Sequence, residues 1–185
     1  MPTPRPIKLV SMLGSLRSDG FHSVVAKSLP ELAPQDVIVE ALGSVGDLPH
    51  YDADLQKEGF PPAVLEMARR IREADGVVVV TPEYNYSVPG ALENALDWLS
   101  RTDPAPFARK PVAIVTASPG QIGGARAQYH LRQIMVFLDA DVLNKPEVMI
   151  GDAGSKIDLP SRTLTDATTR TLIARQLAAL ASMAA

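Results

Sequence analysis

Three short segments carry most of the side chains able to do chemistry. The first is GSLRSDGFHS, Gly14–Ser23. It joins a turn-permitting glycine to three hydroxyls (Ser15, Ser18, Ser23) and a fixed cation, Arg17, just ahead of an apolar helical pattern. Free N–H groups at a helix start and the helix dipole both favour an anion, so a phosphate fits there. Arg17 would add a charge-assisted hydrogen bond worth about 1.5–3 kcal/mol. The spacing is neither a Walker loop nor G-x-G-x-x-G. An ordinary capped helix with Arg17 in solvent uses the same residue types and stays open as a reading.

The second segment, PEYNYSVPG, Pro82–Gly90, follows a wholly apolar run. Pro82 removes a backbone donor and ends the strand. Glu83, Tyr84, Asn85 and Tyr86 then lie at the sheet edge, with Ser87 and Pro89 suited to start the next helix. Tyrosine faces and exposed backbone suit a flat heteroaromatic ring. A tyrosine-rich turn packed on a neighbouring subunit is an equally open reading. The third segment, SPGQIGG, begins at Ser118 and Pro119 and places Gly120 and Gly123 where backbone can approach a ligand closely. A flexible connection has the same composition. Arg101 and Arg126 flank two of these segments and would either attract anionic substrates and nicotinamide phosphates or form surface pairs.

The elements that must position these segments follow from hydrophobic periodicity. Strands are predicted at Ile7–Leu13, Val37–Leu42, Gly76–Thr81 and Pro111–Ser118, with a short fifth within Asp141–Met149. Gly76–Thr81 and Pro111–Ser118 lack polar alternation, so both faces are expected to be buried. Helices are predicted from Phe21, Ala63, Gly90, Ala125 and Leu164, with inward stripes such as Leu92, Ala95, Leu96 and Leu99. Trp98 reads as packing and His130 as a structural or interface residue. Five strands alternating with about five helices imply an α/β fold with a parallel sheet covered on both faces. Its size suits the flavodoxin-like order 2-1-3-4-5, a three-layer sandwich forming one domain over residues 1–185. Ligands then sit beyond the carboxyl ends of the strands.

Composition narrows the rest. The chain has 185 residues, formal net charge −3 and no cysteine. Thiol nucleophiles, disulfides and cysteine-bound metals are excluded, and the mild acidity argues against nucleic acid. His22, His50 and His130 are far apart, so no metal site is expected. The N-terminal MPTPRPIKLV has no signal-peptide pattern and no stretch is long enough for a membrane helix, so a cytoplasmic protein is expected.

Taken together, MLGSLRSDGFHS, TPEYNYSVPGALENALDWLSR and IGGARAQYHLRQIMVFLDADVLNKPE resemble the NADPH-dependent FMN reductase family, within it the bacterial chromate and quinone reductases. The likeness runs from about Ile7 to Glu147. It implies non-covalent FMN, with the phosphate held by Gly14, Ser15, Arg17 and the loop through Phe21 and His22 to Ser23. It implies that Pro82, Glu83, Tyr84, Asn85 and Tyr86 line the isoalloxazine, with Ser118, Pro119, Gly120 and Gly123 on its other side. It implies a homodimer or homotetramer in which Tyr86, Arg126, Tyr129 and Glu147 join subunits. The family usually has asparagine where this chain has His22, and Lys-Gly-Ser where it has Ser-Asp-Gly. Asp19 therefore either points away or weakens the hold on FMN.

The resemblance also implies hydride transfer from NADH or NADPH to flavin N5, followed by a ping-pong exchange with quinones, chromate, other metal oxyanions or azo compounds. No acid–base residue is needed. A flavodoxin-type electron carrier is the alternative, although such carriers tend to be more acidic. A dinucleotide-binding protein using Gly14 and Glu40 lacks the glycine spacing, and a binding module leaves three converging loops unexplained.

Overall fold

The computed structural model describes residues 5–185. In chain order its main elements are β1 (Ile7–Leu13), α1 (Phe21–Leu32), β2 (Val37–Ser44), α2 (Ala53–Glu58), α3 (Pro62–Glu73), β3 (Gly76–Pro82), α4 (Gly90–Leu99), β4 (Pro111–Ala117) and α5 (Ala125–Phe137). They continue as β5 (Asp141–Val142), β6 (Val148–Ile150), α6 (Ala153–Lys156), β7 (Ile157–Asp158), β8 (Thr163–Leu164) and α7 (Ala167–Ala184). The main sheet is parallel in the order β2-β1-β3-β4-β5, with β6 also on β4, which is the expected flavodoxin-like arrangement.

Side chains alternate across each strand, so the sheet feeds two cores. Val10, Met12, Val77, Val79, Val112 and Ile114 pack against the apolar stripes of α3, α4 and α5. Leu9, Val78, Val80, Ala113 and Val115 face α1 and α7. Every residue of β3 is buried, as its sequence predicts. Trp98 is fully buried, and its indole N–H donates to the Pro49 carbonyl at 2.9 Å. No helix among the described residues is long and apolar enough to cross a membrane.

Three boundaries depart from expectation. Helix α1 continues past Pro30 to Leu32. The polar stretch after β2 contains a 3-10 turn at Val45–Asp47 and the short helix α2, started by the Asp52 carboxylate accepting from the Asp54 N–H. The fifth strand is split: β5 pairs with Pro111 and Val112, and β6 with Val115 to Ala117. Pro146 lies in the gap without an N–H to give, so the ladder lapses there.

Two glutamine amides fill that lapse. Gln176 on α7 donates to the carbonyls of Ile114 (3.1 Å) and Pro146 (3.0 Å). Gln128 on α5 donates to the Val148 carbonyl (3.1 Å) and the Thr116 hydroxyl (3.2 Å). Both side chains are buried. Replacing Gln176 with leucine leaves two carbonyls without a donor and is expected to cost about 1–3 kcal/mol, measured as a lower urea midpoint at unchanged slope.

Candidate functional site

Strand β1 sends its chain through α1 to β2 on one side, and β3 sends its chain through α4 to β4 on the other. The crevice between their carboxyl ends is the switch point at which open α/β sheets take ligands. Gly14 sets its floor. Its N–H donates to the Val80 carbonyl at 2.8 Å, and an added Cβ would lie 2.6 Å from Thr81 Oγ1 and 2.9 Å from Leu92 Cδ2. Glycine is required there because the loop lies directly on β3, not because the turn demands a positive φ.

Beyond Gly14 the loop braces itself. Ser15 Oγ accepts from the Arg17 N–H at 3.3 Å, and Ser23 Oγ donates to the Ser18 carbonyl at 2.8 Å. Gly20 starts α1 without a side-chain cap, and no acid occupies the first turn. The N–H groups of Phe21, His22 and Ser23 therefore have no intrahelical acceptor and face an anion-favouring terminus. Among the described residues Arg17 pairs only with Asp19, at 3.8 Å, with both side chains about two-thirds exposed. Such a pair is worth little, so Asp19 leaves the guanidinium free to turn to a ligand.

The His22 side chain has a different task from the loop around it. It points inward, 8% exposed, and its Nε2 shares a 2.9 Å hydrogen bond with the Ala117 carbonyl at the end of β4. Burial lowers its pKa, with the bond to Ala117 opposing in part. The neutral ring thus ties the start of α1 to the third loop.

The second loop is a two-residue turn. Tyr84 and Ser87 exchange both N–H···O=C bonds at 3.0 Å, and Asn85 and Tyr86 take positive φ of 49° and 67°. Asparagine tolerates this conformation, whereas a tyrosine in it is strained. Contacts from α5 hold it there. The Arg126 guanidinium carbon lies 3.6 Å from the Tyr86 ring centroid. Ser87 Oγ and His130 Nδ1 are 3.0 Å apart. Glu83 Oε2 accepts from the N–H groups of Arg126 (3.0 Å) and Ala127 (3.2 Å), and Oε1 lies 3.3 Å from Arg126 Nη1. Glu83 therefore caps α5, which begins at Gly124 without a side-chain cap of its own. Tyr84 and Tyr86 remain exposed beside it.

Two glycines of the third loop pack closely against protein. A Cβ on Gly123 would fall 2.7 Å from the Met149 carbonyl carbon, and one on Gly124 would fall 2.9 Å from Thr116 Cβ. Both have positive φ, and both meet protein. Gly120 alone of this group stays open, near only Ser118 Oγ, which accepts its N–H at 2.9 Å. Gly151, which the sequence reading passed over, is the partner of this loop: a Cβ there would come within 2.1 Å of the Gln121 carbonyl oxygen. Its only sequence signal is a glycine immediately after β6. Pro119 is exposed next to Gly120.

Arg101 does not flank a ligand loop. It lies just beyond the far end of α4, roughly 15 Å of helix from Gly90, with its guanidinium 5.4 Å from the Tyr51 ring centroid. Tyr86 and Arg126 meet within one chain, Tyr129 is half exposed, and Glu147 lies 3.8 Å from Arg132 and 3.6 Å from Lys145.

An uncapped helix start for a phosphate, beside exposed tyrosines and an open glycine at a flavodoxin-like switch point, defines a mononucleotide-binding protein whose residues fit FMN. The chain belongs to the NADPH-dependent FMN reductase family, which it matches over residues 7–155. It is 55% identical over 174 residues to a quinone reductase of Escherichia coli (strain K12), covering 94% of this chain and 93% of that one. It is 48% identical, with the same coverage, to an NAD(P)H-dependent FMN reductase of Pseudomonas aeruginosa. Its fold superposes on the flavoenzyme NAD(P)H:(acceptor) oxidoreductase of Paracoccus denitrificans with a TM-score of 0.85 at 32% identity, covering 96% and 97% of the two chains. The protein is accordingly an NAD(P)H-dependent oxidoreductase with FMN as its cofactor.

The buried His22 gives a pH signature. Its pKa is lowered in the fold, so the unfolded chain binds more protons as pH falls below the ordinary histidine value of about 6.5. Its stability contribution is full above that pH and is lost as pH falls through the window towards the lowered folded value. His22→Asn is expected to flatten the urea-unfolding free energy between about pH 7 and pH 5 relative to wild type. Parallel profiles for the two proteins would refute this.

Proposed function

We propose that the chain binds one FMN non-covalently at this crevice and serves as a quinone reductase, with chromate, other metal oxyanions and azo compounds as further acceptors. The observation that carries this reading is the uncapped start of α1 beside Arg17 at the switch point. The N–H groups of Phe21, His22 and Ser23, the Ser15 hydroxyl and Arg17 hold the phosphate. The turn of Tyr84, Asn85 and Tyr86 lines one side of the ring and Ser118 to Gly120 the other. The bound cofactor supplies two-electron redox chemistry between a nicotinamide and an oxidising acceptor.

The protein's share is position and access. Glu83 and Arg126 fix the turn that carries the two tyrosines, and His22 fixes the end of β4 beneath the third loop. Nicotinamide and acceptor take the same place over the ring in turn, which makes the cycle ping-pong. No side chain is required as an acid or base, since water supplies the acceptor's protons. NADH and NADPH place the protein's work in the cytoplasm.

The assembly is a homodimer or homotetramer. Tyr129, Val136 and Phe137 leave an uncovered apolar band on α5, with Val136 78% and Phe137 79% exposed. A second subunit on this band would cover it, with Tyr86, Arg126, Tyr129 and Glu147 at the junction.

Two measurements test the reading. The purified protein should be yellow, release FMN on heating, bleach with NADH without oxygen and regain colour with a quinone. Bleaching without steady quinone turnover would make it an electron carrier instead. Arg17→Ala should raise the Kd for FMN roughly 10- to 150-fold. Unchanged affinity would remove Arg17 from the phosphate site.

A further inference from the structure

A second cavity, of about 530 Å³, lies on the β2 side of the Gly14–Ser23 loop. It is a notch between α1 and the β1–β2 end of the sheet. Three features of the chain hold it open. Small residues (Ser11, Ala26, Ala41 and Gly43) stand where larger ones would fill it. The β1–β2 register also slips: Ser11 pairs with Ala41 but Leu13 with Ser44, and Gly43 takes a φ of 88°. Such bulges bend a strand away from its neighbour and are frequent beside binding sites. Finally, Pro30 within α1 has no N–H, so the Ala26 carbonyl in the wall loses its intrahelical donor.

The lining has a consistent chemistry. Leu13, Val39, Leu42 and Pro30 give apolar walls, and Leu16, 61% exposed, reaches over Gly46 to roof one side. The Ser11 hydroxyl, on a strand face otherwise apolar, makes no hydrogen bond to another described residue. The charged residues of the lining are Arg17 and Lys27, both cations, and Lys27 makes no ion pair among the described residues. Apolar walls with hydroxyls at the floor and cations at the mouth suit a flat apolar body carrying one negative group, and the volume lies within the range of small-molecule sites.

We propose that this notch is a second binding site, for a small aromatic anion. A carboxylate or sulfonate sits at Lys27, and one or two rings lie between α1 and the β1–β2 end of the sheet. Ser15, Arg17, Ser18 and Ser23 also line the notch, so it shares a wall with the phosphate site of the proposed function, and the flavin content read alongside separates the two sites.

Calorimetric titration of the purified protein with anilinonaphthalenesulfonate tests it, with flavin content read separately from absorbance. One saturable site per chain with a Kd of ~10–100 µM is expected. Ala41→Phe, a change at an exposed edge position that fills the notch, should weaken binding at least ~10-fold. Lys27→Glu should weaken it ~3- to 10-fold. The uncharged analogue N-phenylnaphthylamine should bind more weakly than the sulfonate. Flavin content should be the same in both variants as in wild type. Displacement of the probe by naphthoate would identify an aromatic acid as the source of the anion, and displacement by ADP a nucleotide; each agrees with the proposal. No saturation below about 1 mM, or binding untouched by Ala41→Phe, would overturn it, the latter by placing the probe on the apolar band of α5. Equal affinity for the neutral analogue would overturn the anion recognition.

Discussion

Strand β3 is the constraint on which the molecule rests. Val77, Val78, Val79 and Val80 are all fully buried, and they alternate between the two cores. Burying each valine stabilises by about 1.5–3 kcal/mol, so this one strand contributes on the scale of a domain's whole net stability. A strand with no polar face can exist only under helices on both sides, and parallel neighbours connected by such helices bring all their loops out at one end. The ligand crevice follows from that geometry. Gly14 then brings the first loop into contact with Thr81, so that loop is registered directly on the fully buried strand β3.

Within the three loops, groups that hold shape are separate from groups left free. His22, Glu83, Gly123 and Gly124 are committed to protein: a β4 carbonyl, the start of α5, the β6 backbone and Thr116. What remains unmatched is the set of N–H groups at the start of α1, the Arg17 guanidinium, the faces of Tyr84 and Tyr86, and the open side of Gly120. A rigid scaffold holding a few unsatisfied groups in fixed positions is preorganised, so little ordering cost falls on the ligand when it binds.

The sheet was legible because its signals are redundant. The unbroken Val77–Val80 run and the Leu92, Ala95, Leu96, Leu99 stripe each allow one interpretation, and the strand order follows from alternation and size. What escaped the sequence depends on contacts between distant segments. The split of the fifth strand turns on Pro146 meeting Gln176 across 30 residues. The packing of Gly123 on Met149 and of Gly124 on Thr116 has no signal in the local sequence. Arg101 is close in sequence to the tyrosine loop, but a full helix carries it away. The capping of α5 by Glu83 has no local signature, because the acceptor lies 43 residues from the donor.

Tyr86 shows how these distant contacts become a single device. A tyrosine in the left-handed region costs on the order of 1–2 kcal/mol relative to a relaxed backbone, and the paired backbone bonds of Tyr84 and Ser87 are the turn's own compensation. Further support comes from α5, through Arg126 on the ring, Glu83 on the helix start and His130 on Ser87. Helix α5 also carries Tyr129, Val136 and Phe137 on its outer face. A force on that face acts on the same rigid rod that holds the turn. The strained tyrosine and the uncovered surface are therefore carried by one helix.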